Sequence, residues 1–272
     1  MSSCDWSLVD VAVPRRAVRL PGVSMAGFRQ RVPALVDVGM VAHPSVTVLV
    51  DLSEGEGVVC ESGGRRVRGS VVAGLLPGDL RVGGRGMGEC LQIRLQPVAA
   101  SAVLGGVRDL TGTVVPLREV WGPGAERVEE RLHAAASWEE RFAIVADVLR
   151  GRLGAGSRVD AEVVHVWRRM VGSRGRVRVE GLADEVGWGR QRLWSRFRAQ
   201  LGIGPKRAVR LVRFDHAARL LAAGRTPAGV ACAGGYVDQS HLHREVRAFS
   251  GLTPGGVAAA PWLGIDEVAW PG

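Results

Sequence analysis

Cysteine and histidine are scarce in this 272-residue chain, and their scarcity removes several kinds of chemistry. The four cysteines, Cys4, Cys60, Cys90 and Cys232, fall in no metal-binding spacing and form no secretory disulfide framework. A sensor role for the Cys60 or Cys90 thiol competes with the commoner fate of cysteine, burial as a small hydrophobe. His43 is the only histidine before His133, whereas a metal centre in a β domain gathers about three histidine or carboxylate ligands. Metal-dependent oxygenase chemistry is therefore not expected, and no Ser/His/Asp or Cys/His constellation suggests a nucleophile. Long apolar runs are missing too: none reaches the roughly 20 residues that cross a bilayer. Met1-Ser-Ser-Cys-Asp-Trp6 lacks the basic and apolar regions of a secretory leader. Lysine is reduced to Lys206 among 36 basic residues, a bias that a GC-rich gene accounts for and that carries no functional reading. These absences point to a cytoplasmic protein with no catalytic activity, metal or cofactor.

Positive charge is abundant, and it is unevenly placed. The net charge is +9; residues 158–258 hold 18 Lys or Arg against 8 Asp or Glu, and the remainder of the chain holds 18 against 19. The whole excess sits on one segment, as expected where phosphates must be neutralised. An anionic membrane surface would call for a basic amphipathic helix with an apolar anchor face, which is not present.

The same segment repeats a helical pattern. Ala183 is followed by Gly187, Leu193, Phe197, Gly202 and Pro205; Ala231 is followed by Gly235, Leu242, Val246, Gly251 and Pro254. From each leucine the steps are four, five and three residues. Internal repeats of this kind point to duplicated structural units. Each copy reads as a helix-turn-helix. A small residue allows close helix approach, a glycine ends the first helix in a left-handed turn, and apolar residues four apart face inward from the second helix. The opposite face of that second helix carries Arg190, Gln191, Trp194, Ser195 and Arg198 in copy one, and Gln239, Ser240, His243 and Arg244 in copy two. These side chains hydrogen-bond base edges and phosphates. A plain helical hairpin with a solvated polar face is the alternative for either copy alone; two copies with the same polar exposure favour double-stranded DNA. Asp238 is expected to cap its helix, Arg244 to clamp a phosphate, and Gln239 and Ser240 to meet bases. Arg174, Arg176 and Arg178 lie in a basic turn, equally suited to phosphate contact or to solvent.

The segment Gly235-Tyr-Val-Asp-Gln-Ser-His-Leu-His-Arg244, with Phe249-Ser-Gly-Leu-Thr-Pro254, resembles the signature of AraC/XylS-type bacterial transcription regulators. Gly202-Ile-Gly-Pro205, Arg213 and Ala217 through Leu221 resemble the exit and connecting helix of that family. The resemblance covers residues 158–258. It implies two recognition helices about one DNA turn apart, held by a rigid helix over 206–222, with RNA polymerase as a further partner. Departures are Gly189 in place of a capping serine, Ser195 in place of a recognition arginine with Arg196 displaced beside it, Ala208 in place of an aromatic, and Leu242 and Val246 in place of phenylalanines. Ser195 removes a base or phosphate contact, so the target sequence cannot be borrowed from a relative. The resemblance also implies that His241 braces its helix or meets backbone rather than titrating.

Residues 1–153 read differently. Val46–Asp51, 57–60, 70–74 and 90–95 read as strands, and 54–57, 62–64 and 83–86 as loops or turns. Short strands with regular turns suggest a small barrel or sandwich to about 115. Residues 98–104 read as a helix stopped by Gly105-Gly106, residues 120–124 as a turn, and 124–135 and 138–152 as amphipathic helices, the second opened by a Ser137/Glu140 capping box. Arg94 to Gly105 and Trp138-Glu-Glu-Arg-Phe142 resemble an N-terminal domain of some AraC-type regulators, which implies sensing or assembly. The late helices would serve a homodimer surface or an intramolecular pair in a monomer. An apolar lumen would accommodate a small-molecule effector. Residues 151–157 read as a flexible glycine-rich linker, and 259–272 as a tail of unread role.

The expected fold class is α+β: a β-rich domain with C-terminal helices, then an all-α domain with two helix-turn-helix motifs joined by a long helix. The competing classes are an enzyme fused to a DNA-binding domain, and a helical-repeat interaction protein.

Overall fold

The computed structural model describes residues 5–14, 20–75, 80–156, 159–260 and 269–270. Cys4, Ser157, Trp262 and Pro271 lie outside them. The N-terminal half holds two antiparallel sheets. The larger contains β1 (Val9–Ala12), β2 (Val23–Gln30), β4 (Val46–Asp51), β8 (Val71–Ala73), β10 (Glu89–Leu95) and β11 (Val114–Pro116), in the order β1-β2-β10-β4-β8-β11. The smaller runs β3 (Ala34–Gly39), β9 (Arg81–Met87), β6 (Val59–Ser62) and β7 (Arg65–Arg68), with β5 (Glu54–Gly55) paired to β9.

Alternation along β10 shows how the layers are built. Leu91, Ile93 and Leu95 are buried on one face among helical side chains such as Phe142 and Leu149. Cys90, Gln92 and Arg94 point the other way, into a cavity between the sheets. Leu49, Val71, Ala73 and Val114 of the large sheet meet Cys60 and Val67 of the small one, with Val58 just ahead of β6. The sheets thus stack face to face over part of their width, as in a sandwich.

The glycine run 83–86 lies within β9, not in the loop expected from composition. Its neighbours explain the difference. A β-carbon on Gly83 would stand 3.2 Å from the Val36 carbonyl oxygen, and one on Gly84 would stand 3.0 Å from that of Gly57. The glycines admit close backbone approach inside the sheet rather than turning the chain.

Helix α1 (Pro97–Val103) is followed by a 3-10 turn at Arg108–Leu110, α2 (Leu117–Trp121), α3 (Gly124–Ala134) and α4 (Trp138–Ala155). Part of the turn expected at 120–124 is therefore the end of α2; only Gly122, with φ +63°, turns the chain left-handed. Ser137 caps α4 by accepting from Glu140 N–H, while Glu140 reaches back to Ala136 N–H at 2.9 Å. Trp138 lies on Gly27 of β2, where a β-carbon would come within 2.3 Å of the indole. Helix α4 continues through Gly151 and Gly154 to Ala155, so the expected flexible linker is helical there. Leu153 packs against the core, and Gly156 sits so close to Ala102 that a β-carbon would lie 2.2 Å from its carbonyl oxygen.

The C-terminal half is helical: α5 (Ala161–Gly172), α6 (Val179–Glu185), α7 (Arg190–Leu201), α8 (Pro205–Ala222), α9 (Pro227–Ala233), α10 (Gln239–Ser250) and α11 (Pro254–Ala258). One buried cluster runs from Met25 of β2 to Ala260 after α11, so the two halves share a core. Among the described residues no helix is long and apolar enough to cross a membrane.

Candidate nucleic-acid interface

The two copies fold alike because their turns demand the same backbone. Gly187 and Gly235 leave the first helix of each copy at φ +66° and +71°; Gly202 and Gly251 end the second at +74° and +70°. Left-handed backbone of this kind favours glycine. Ala183 and Ala231 are buried at the helix contact, as are Leu193, Phe197, Leu242 and Val246 on the inward faces of α7 and α10.

The outward faces are open. Arg190, Gln191, Trp194, Ser195 and Arg198 are exposed on α7, and Gln239, Ser240, His243 and Arg244 are exposed on α10. Every residue expected to face a partner therefore does face solvent, in two sets on two helices. Trp194 is 50% exposed. Its ring carries the Arg198 guanidinium at 5.1 Å, and its indole nitrogen lies beside Gly204, at the start of α8. Gln239 and His243, one turn apart, approach to 3.5 Å between side-chain nitrogens.

The helix starts differ between copies. Asp238 caps α10, its carboxylate accepting from His241 N–H at 2.6 Å. Gly189 opens α7 without a side-chain cap. His241 is half-buried: its Nδ1 lies 3.4 Å from Val237 N–H, and its ring meets Tyr236 edge-on at 5.3 Å. This is the bracing position expected of it.

Arg196 does not stand in for the arginine missing at 195. Its guanidinium makes two 2.8 Å hydrogen bonds to Asp160, ahead of α5. Gln200 Oε1 accepts from Asp160 N–H at 2.9 Å. Burial alone would raise the Asp160 carboxyl, but hydrogen bonds from Arg196 and Gln200 hold it below its ordinary value. Arg176 likewise lies partly against protein, its stem beside Gly235. Neither partnership shows in a periodic pattern.

Glu245 is the residue that sequence reasoning missed outright. It lies fully buried on α10 and accepts from Arg210 at 2.9 Å and from Arg213 at 2.9 and 2.7 Å, both on α8. The Arg213 guanidinium also covers the Tyr236 ring at 4.8 Å. This charge cluster, with the Phe214–Phe249 stack at 5.3 Å, fixes copy two on α8. The available signal was a glutamate directly before the inward Val246, on the side of the helix that holds Leu242 and Phe249.

Copy one packs on α8 and also docks on the N-terminal half. Thr111 Oγ1 donates to the Gly202 carbonyl at 3.0 Å. A β-carbon on Gly202 would stand 2.5 Å from that hydroxyl and 2.7 Å from the Val107 carbonyl. Helix α5, ahead of copy one, is tied to the same half: Trp167 Nε1 donates to Gln96 Oε1 at 3.4 Å.

The inter-sheet cavity is separate from these helix faces. It has a volume near 160 Å³ and is lined by residues including Phe28, His43, Leu49, Val82, Arg94 and Trp270. Burial, with the charges of Arg94 and Arg219, holds His43 well below its usual value, so the ring is neutral. Burial pushes the Cys60 and Cys90 thiols up to about 12, which opposes a reactive role for either. Among the described residues no three His, Cys, Asp or Glu side chains group as metal ligands.

A family model described as a helix-turn-helix domain matches residues 182–260. No curated protein sequence matches the chain at a significant level. ToxT from Vibrio cholerae O395, solved with (E)-4-(8-methylnaphthalen-1-yl)but-3-enoic acid bound, shares the fold at 8% identity and TM-score 0.50, over 87% of this chain and 98% of that one. The C-terminal domain of AraT, a response regulator from Geobacillus stearothermophilus, aligns at 20% identity and TM-score 0.35, over 38% of this chain and 87% of that one. The AraC-like transcriptional activator CuxR aligns at 15% identity and TM-score 0.33, over 86% and 90%.

Proposed function

We propose that this chain is a DNA-binding transcription regulator of the AraC type, a reading supported by the helix-turn-helix match over residues 182–260, and that α7 and α10 enter successive major grooves of one duplex. The observation that carries this reading is the paired exposure: two equivalent helices, each buried by the same apolar steps, present hydrogen-bonding side chains outward from one rigid connector. Arg190, Gln191, Ser195, Gln239 and Ser240 read base edges. Arg198, His243 and Arg244 meet phosphate, and Trp194 packs on sugar or thymine methyl groups.

One chain then reads two half-sites that need not be palindromic. Residues 158–258 supply recognition, and residues 1–153 modulate it. The cavity between the sheets takes a small apolar effector: its volume matches that of an apolar cavity of about 150 Å³ that holds a benzene-sized guest. Promoter occupancy and contact with RNA polymerase convert binding into regulation, by a monomer or a homodimer.

The experiment is selection of bound sequences from random duplex DNA with the full-length chain. The expected result is an asymmetric motif with two elements about 10–10.5 base pairs apart, and loss of one element in Gln239→Ala/Ser240→Ala. A protein that enriches no motif, or one element only, overturns two-groove reading.

A further inference from the structure

Trp270 follows the whole helical half in sequence, yet it packs in the N-terminal half. It is 7% exposed and clusters with Ala269, Ala26, Val11 and Phe28. The last three belong to β1 and β2, the flank of the large sheet. The Arg94 guanidinium lies 4.1 Å from the centre of the Trp270 ring, a cation–π stack. Arg94 projects from β10 into the inter-sheet cavity, and Trp270 forms part of the same cavity wall.

An indole from the chain's own C-terminal segment therefore occupies a subsite built from an apolar floor and the face of a buried guanidinium. The segment that delivers it follows α11, which packs on α8, the connector of the two recognition helices. We propose that Trp270 is a built-in competitor for the effector cavity. A planar apolar molecule of indole size that stacks on Arg94 takes its place, so occupancy of the Arg94 face and docking of Trp270 exclude one another. Occupancy of that face then frees Trp270 from the large sheet. The inference rests on the cavity being a ligand site, and does not depend on how many grooves the protein reads.

A segment that is docked most of the time lowers apparent ligand affinity by the fraction of molecules that are open. With about 1–10% open, removing the competitor tightens binding about 10- to 100-fold. The probe is indole itself, titrated by calorimetry into the full-length chain and into Trp270→Ala. The expected result is at least about tenfold tighter binding to Trp270→Ala, lost again in Trp270→Ala/Arg94→Met. A second measurement uses the unaltered chain: hydrogen exchange of its C-terminal peptide should accelerate as indole is added. Equal affinity for both proteins, or C-terminal exchange that stays constant or slows at saturating indole, overturns the competition and leaves the cavity reading standing. Binding to neither protein overturns both, while the DNA selection above remains an independent result.

Discussion

Replacing Glu245 by Gln asks whether copy two is held on α8 by charge or by apolar packing alone. The two arginines that bind this carboxylate differ in their access to water. Arg210 is 43% exposed, Arg213 is 15% exposed, and Glu245 is 1% exposed. When the negative charge is removed, Arg210 rehydrates and Arg213 stays in place, so one cation is stranded rather than two. Breaking a buried pair costs about 3–5 kcal/mol. The glutamine amide oxygen still accepts a hydrogen bond, which places Glu245→Gln near the lower bound, about 3 kcal/mol. At roughly 2–4 °C per kcal/mol for chains of this size, the midpoint falls by about 6–12 °C. Arg210→Ala removes the exposed partner and should cost less than about 1 kcal/mol. Thermal and urea unfolding of the full chain measure both, and hydrogen exchange along α10 localises the loss. A cost below about 1 kcal/mol for Glu245→Gln, or an equal cost for Arg210→Ala, would refute the argument. The acid limb gives an independent check. Burial would raise Glu245, but hydrogen bonds from Arg213 and then Arg210 outweigh it and hold the folded carboxyl below its ordinary value. A depressed folded value means that the stabilisation is complete above the unfolded value, about 4.3, and is lost as pH falls through the folded one. Glu245→Gln should remove that part of the acid limb.

Three further outcomes are expected. Arg244→Ala should weaken binding to all duplexes alike and reduce the slope of log affinity against log salt by about 0.9, whereas Gln239→Ala should relax preference at one base pair by about 1–3 kcal/mol; competition binding at several salt concentrations separates them. The neutral, buried His43, whose folded value is depressed by burial and by Arg94 and Arg219, contributes stability that is complete above about pH 6.5 and declines below it as the unfolded chain takes up a proton; urea midpoints between pH 5 and 8 should fall toward acid, with a smaller fall in His43→Gln. Gly202→Ala adds a clash with Thr111 and Val107 to left-handed strain, whereas Gly251→Ala meets no atom within 4 Å and carries only the strain of about 1–2 kcal/mol; equal losses in denaturant would contradict the docking of copy one.

The helical half was legible because its spacing is set by local geometry. Two glycines per copy hold left-handed backbone, and the apolar steps between them follow one helix face; both are written in consecutive residues. Exposure of the nine polar candidates followed from the same periodicity. The β half was legible in class but not in detail. The strand through Gly83–Gly86 was hidden because glycine signals a turn from sequence, while its role here depends on Val36 and Gly57 approaching from elsewhere in the chain. The extension of α4 past residue 152 through Gly154 was hidden for a related reason: glycine content argued for a linker, and packing of Leu153 on the shared core prevailed. Arg196–Asp160, Glu245 with Arg210 and Arg213, and Trp270 on Arg94 join residues 32 to 176 positions apart. No local pattern records such pairs.

Helix α8 spans Pro205–Ala222 and carries the elements of both copies. Its length sets a phase relation between two helices of different pitch. One inserted residue would advance copy two by about 1.5 Å and swing it by about 100°, off the face that copy one addresses. Seven inserted residues nearly restore the protein's angular phase but add about 10.5 Å, close to three base pairs. At about 10–10.5 pairs per turn those three pairs rotate the groove by roughly 100°. Small changes in α8 therefore satisfy one periodicity only by violating the other. If α7 and α10 read two grooves as proposed, variation in target sequence can accumulate on their exposed faces, while the interval between the two half-sites stays locked by the incommensurate repeat of peptide and duplex.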